Sequence, residues 1–158
     1  YLSKEAPPEA LGEVLRALPG TLLDLQRVPA PGEHEALARA AGRTVADFSA
    51  HNDDLEDMLA LMALIDEYVG VSNTNMHLRA AVGRGARVLV AHPAEYRWKS
   101  EGDTSPWFPG FRLYRQVASG QWENALAELR ADLHGERPPR PPTTPRDPDL
   151  PLGGAARV

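Results

Sequence analysis

Short apolar runs alternate with longer amphipathic ones along most of this chain, and that alternation limits the folds open to it. The runs 21-TLLDLQRV-28, 43-RTVADFS-49, 68-YVGVS-72, 87-RVLVA-91 and 112-RLYRQ-116 read as short strands. Between and around them lie helical patterns. The first, 7-PPEALGEVLRALPG-20, has proline in its first turn, Leu11, Val14, Leu15 and Leu18 on one face, and Pro-Gly as a stop. Segment 33-EHEALARAAG-42 ends on Gly42 as a C-terminal cap, and acids crowd the first turn of 53-DDLEDMLALMALID-66, where the helix dipole favours them. Further helices are expected from about Asn75 and over 121-QWENALAELRADL-133. Strands apolar on both faces, alternating with helices, predict an α/β domain with a doubly wound, Rossmann-like parallel sheet. Such a domain normally opens on a strand, whereas this chain opens on a helix. The expectation is therefore that a leading strand lies upstream of Tyr1.

Composition narrows the functional classes. With 158 residues and 42% apolar residues, the chain is long enough for one domain with a substantial core. A formal net charge of −5 argues against a nucleic-acid footprint, and the absence of cysteine removes disulfides and thiolate chemistry. No apolar run approaches the roughly 18 residues of a membrane span, and the N-terminus lacks a signal-peptide pattern, so a cytoplasmic location is expected. From about residue 135 the composition changes: 137-RPPRPPTTPRDPDLP-151 holds seven of the chain's 15 prolines. Residues 1–134 are thus expected to form the domain and 135–158 a flexible, proline-rich tail.

The most informative stretch is 71-VSNTNMHLRAAVG-83. It sets Ser72, Asn73, Thr74 and Asn75 between an apolar strand and a helix. In open α/β sheets this is a ligand position, because helix N-terminal amides and the helix dipole favour an anion. Helix capping by Asn73 or Thr74 accounts for the same composition. His77, one turn on, is placed either to hydrogen-bond a ligand at that mouth or to serve the fold. No His-x-x-x-His or carboxylate cluster surrounds it, so no metal site is expected. The loop 92-HPAEYRWKSEGDTSPWFPG-110 is long and carries Tyr96, Trp98, Trp107 and Phe108. It either pins itself to the domain or walls a cleft in which Arg97 or Lys99 meets an acidic ligand.

The run 57–90, followed by 95-EYRW-98, 105-SPWFPGFRLYRQ-116 and 121–133, resembles the C-terminal half of bacterial glycosyltransferase-like proteins. These often follow tetratricopeptide repeats and are related to the heptosyltransferases and, more distantly, the O-GlcNAc transferases. The resemblance covers roughly residues 1–134 and implies the GT-B arrangement, two facing Rossmann-like domains of which the C-terminal one holds a nucleotide-sugar donor. It implies that Asn73, Thr74 and Asn75 hold the donor diphosphate. It also implies that His77 matches a family histidine that follows an Asp-Thr pair, replaced here by Asn73-Thr74. Lys4 matches a family lysine that contacts the donor phosphates. His51 and Asn52 fall where the family binds the nucleotide base, and Gln26 faces the same cleft.

The resemblance thus implies a metal-independent transferase without a cofactor, whose substrate is a nucleoside-diphosphate sugar. Its acceptor-binding domain, with any catalytic base, is expected upstream, so this chain alone is expected to transfer no sugar. Two alternatives stay open. One is a non-catalytic glycosyltransferase-like interaction module beside upstream repeats. The other is a sugar-nucleotide enzyme such as an epimerase, which would call for a Gly-x-Gly-x-x-Gly turn that this chain does not contain.

Overall fold

The computed structural model describes residues 4–135. The expected proline-rich tail, from residue 136 onward, lies outside them. Five helices and five short strands follow in chain order: α1 (Pro8–Leu15), β1 (Leu22–Asp24), α2 (Glu33–Ala41), β2 (Val45–Asp47), α3 (Leu55–Leu64), β3 (Val69–Val71), α4 (Thr74–Ala81), β4 (Arg87–Val90), β5 (Arg112–Arg115) and α5 (Glu123–Leu133). Single 3-10 turns sit at Ser49–Asp53 and Tyr96–Trp98. Among the described residues every strand pairing is parallel: β1 with β2 in one sheet, and β3-β4-β5 in another with β4 central. The expected α/β class with parallel strands is what the chain adopts.

Alternation along the strands sorts the core into two layers. Val88, Val90 and Leu113 face a cluster containing Met58 and Met62 of α3 and Met76 of α4. The intervening Leu89 and Tyr114 face the opposite cluster, with Val14 of α1 and Ala125, Leu126 and Leu129 of α5. Both faces of β4 are therefore covered, which explains its unbroken apolar run. Helix α2 does not reach those clusters but packs on α1. At their crossing a Cβ on Gly12 would stand 2.6 Å from Ala40 Cβ and 2.7 Å from Leu37 O.

Two polar devices fix α3 and α4. Asp54 caps α3, its side chain accepting from the amides of Glu56 and Asp57. Arg79 of α4 is 2% exposed and donates to the carbonyls of Ile65, Asp66 and Gly85 at 2.8 Å each. It thereby satisfies the end of α3 and sets α4 firmly beside it. Among the described residues no helix is long and apolar enough to cross a membrane.

Candidate anion-binding site

Parallel pairing brings the carboxyl ends of β3 and β4 to one edge, where Ser72 follows β3 and residues 91–95 follow β4. Asn73 is the N-cap of α4: its Oδ1 accepts from the Met76 amide at 3.3 Å, and the Tyr68 hydroxyl lies 3.3 Å from both side-chain heteroatoms. Capping takes up the Met76 amide and leaves the amides of Thr74 and Asn75 outside the helix's own ladder. Asn73 and Thr74 are exposed at this mouth. Asn75 is not: it is 6% exposed, and its amide donates to Asn52 Oδ1 at 3.2 Å.

Lys4 reaches the same edge from a sequence distance of 91 residues and pairs with Glu95. Glu95 is the hub. Its Oε2 accepts from the Ser72 hydroxyl at 3.2 Å and lies 3.1 Å from Arg97 Nε, an ion-pair distance without the alignment of a hydrogen bond. Arg97 Nη1 donates to His77 Nε2 at 3.0 Å, and the His77 ring meets the edge of Phe108 at 5.2 Å. Burial pushes the Glu95 carboxyl up, but the hydrogen bond and charge of Lys4, with Arg97 and Ser72, outweigh it and hold it below its ordinary value. Lys4, Ser72, Glu95 and Trp98 line a cavity of about 10 Å³, room for roughly one water molecule. A larger anion would require Lys4 and Glu95 to part.

The residues expected to form the site therefore divide. Glu95 joins Lys4 directly and His77 through Arg97, and Asn73 and Thr74 follow its other partner, Ser72. The Asn75 side chain points inward to Asn52, whose own amide donates to Leu25 O at 3.0 Å and Ser49 O at 2.9 Å. That chain ties the end of β1 to the first turn of α4, a bracing role. His51 stacks on Phe48 with ring centroids 5.2 Å apart, and its Nδ1 lies 3.5 Å from Asp57 Oδ2. Gln26 donates to Glu33 Oε2 at 2.9 Å, at the start of α2. Sequence reasoning passed over Glu95. The one signal that could have marked it is its place beside Arg97 at a strand's carboxyl end. Arg97 does meet the site, whereas Lys99 is exposed and turned into the left-handed region at φ 59°.

An anion exchanged for the Glu95 carboxylate would meet Lys4, Arg97 and the Ser72 hydroxyl, with the start of α4 following directly on Ser72.

No protein-family model matches the chain, and no solved structure matches it. The chain is similar to Protein FlbA of Caulobacter vibrioides, with 31% identity over 80 residues. That alignment covers 51% of this chain and 13% of FlbA, so the chain spans only a small part of that relative's length.

Proposed function

We propose that the chain is the donor-binding domain of a GT-B glycosyltransferase, holding the diphosphate of a nucleotide sugar at the turn after β3. One observation carries the reading: Lys4 and the Ser72–Asn75 turn, far apart in sequence, meet at the carboxyl edge of a parallel sheet through Glu95. The same reading takes the two sheets as halves of one doubly wound sheet. Helix α1, with α2 packed on it, lies on the Leu89–Tyr114 face, whereas α3 and α4 lie on the Val88–Val90 face. Right-handed crossovers then run from β1 to β2 in one direction and from β3 to β4 in the other. The order becomes β2-β1, a central position, then β3-β4-β5, with the central strand preceding α1. Lys4 and Ser72 would stand where the direction reverses, the place at which open α/β sheets bind ligands.

Breaking the bond between sugar and nucleoside diphosphate builds negative charge on the leaving phosphate. Lys4, Arg97, the Thr74 hydroxyl and the amides of Thr74 and Asn75 would stabilise that charge without a metal, each such donor contributing on the order of 3 kcal/mol. Binding begins by exchanging the Glu95 carboxylate for a phosphate oxygen at Lys4. The acceptor and its activating base belong to a domain upstream, in a cytoplasmic protein that also carries tetratricopeptide repeats. The isolated chain transfers no sugar.

Calorimetry with UDP, GDP and ADP tests this. At least one binds at millimolar concentration or tighter, and Lys4→Ala and Thr74→Ala each weaken it about tenfold, while Lys99→Ala does not. If none binds, the donor-site reading fails. That result would favour the second reading, a non-catalytic interaction module, to which the occupation of both cations by Glu95 also points.

A further inference from the structure

The loop between β4 and β5 is held more firmly than a connection requires. Arg115 donates to the carbonyls of Trp98, Lys99 at 2.9 Å, Glu101 at 3.2 Å and Gly102 at 2.6 Å. The Ser105 hydroxyl, 5% exposed, donates to Arg97 O at 2.7 Å and accepts from the Trp107 amide at 3.1 Å. Beneath, Trp98, Phe108 and Phe111 stack in sequence with centroids 5.0 and 5.1 Å apart. Yet this fixed loop leaves Tyr96 73% and Trp107 56% exposed, meeting edge to face at 5.8 Å. Large aromatic rings on a rigid loop are poorly explained by folding, because burying them would be worth about 1.5–3 kcal/mol apiece.

Their neighbours say what they suit. Tyr96 sits between Glu95 and Arg97, the two residues that join Lys4 and His77 at the anion mouth, and the Arg97 guanidinium lies 5.5 Å from the Tyr96 ring centroid. A charged end and a flat end thus share three consecutive residues. We propose that Tyr96 and Trp107 are the stacking seat for the base of a nucleoside diphosphate whose phosphates take Lys4 and Arg97. Stacking on aromatic rings beside an arginine suits every base, because each presents a π-face. The other candidate for the base, around His51 and Asn52, has its polar groups already engaged: Asn52 holds Leu25, Ser49 and Asn75, and His51 lies on Phe48. The proposal rests on the anion-site reading above and adds to it where the base lies.

The test compares inorganic pyrophosphate with UDP and ADP on the full chain, by calorimetry and tryptophan fluorescence. Trp98 and Trp122 are 1% and 3% exposed, so a ligand at this seat quenches chiefly Trp107. The nucleotides bind about 5- to 150-fold more tightly than pyrophosphate, the range expected for one stacked base. Tyr96→Ala and Trp107→Ala remove that preference and leave pyrophosphate affinity unchanged, while Tyr96→Phe retains it. If pyrophosphate and nucleotides bind alike, or the alanine variants keep the preference, the seat is overturned and the anion site stands. If neither pyrophosphate nor any nucleotide binds, the anion site falls and the seat with it.

Discussion

Glu95 is the hub of the candidate site, because it pairs with both Lys4 and Arg97. Two consequences follow from one carboxylate. Its folded pKa lies below its ordinary value, so its contribution to stability is complete above about pH 4.3, the unfolded value, and fades as pH falls through the folded one. Acid titration of Glu95→Gln followed by circular dichroism therefore shows a shallower loss of stability below about pH 4.3 than the parent chain. The same substitution releases two cations and removes a competing charge, so pyrophosphate affinity rises about tenfold, opposite in sign to Lys4→Ala. Unchanged affinity in Glu95→Gln would mean that the carboxylate does not compete with the ligand. How legible the site was depends on the kind of residue. The Asn73 cap follows from local sequence, since a side chain two or three residues ahead of its amide partner needs no tertiary knowledge. Lys4 was legible only by resemblance. Glu95 and the inward turn of Asn75 were not legible, because both depend on which strand ends lie side by side.

At the scale of elements, the meeting of α1 and α2 is the tightest joint and gives the clearest mutational test. Gly12 to alanine would normally favour a helix interior by up to about 1 kcal/mol. Here the added methyl meets Leu37 O, a backbone atom, at 2.7 Å, so the helices must move apart. Gly12→Ala is expected to destabilise the chain by about 1–3 kcal/mol in urea unfolding. A stabilised variant would show that the joint is slack. The elements themselves were readable because each strand is apolar and each helix keeps an amphipathic face. Their ends were less so. The Leu11–Leu18 pattern predicts a helix up to Pro19, yet α1 stops at Leu15 and Ala17 turns to φ 66°. Arg43, from beyond α2, donates to the carbonyls of Leu18 and Gly20, and a partner that distant leaves no trace in the local pattern. The 92–110 loop was ambiguous for a related reason: its aromatics divide between anchor and surface, and only Arg115 and Ser105 decide which is which.

At the scale of the whole molecule, the unpaired strand edges bear on the doubly wound reading. Tyr68 O accepts from Arg87 N, so the even members of β3 face β4, and Val69 and Val71 direct their N–H and C=O groups to the other edge. Asp24 O accepts from Phe48 N, so Leu23 of β1 likewise faces away from β2. Leu23, Val69 and Val71 are all half-buried, and no strand among the described residues covers either edge. Backbone groups at such an edge have no strand partner and depend on water for their hydrogen bonds. One parallel strand between β1 and β3 would satisfy both edges at once. The α1 crossover can supply it without a left-handed connection. Native-state hydrogen exchange distinguishes the possibilities. In the present chain the amides of Leu23, Val69 and Val71 exchange quickly compared with Val88 and Leu113, which lie inside the three-stranded ladder. In a polypeptide extended ahead of Tyr1 by a segment that can form one parallel strand, those three amides become protected together and the unfolding midpoint rises. Protection on one edge alone would indicate a strand that pairs with a single sheet. Fast exchange on both edges in the longer polypeptide would mean that the two sheets are separate units. The switch-point argument for Lys4 and Ser72 would then have to be given up, while the anion site would rest on its local geometry alone.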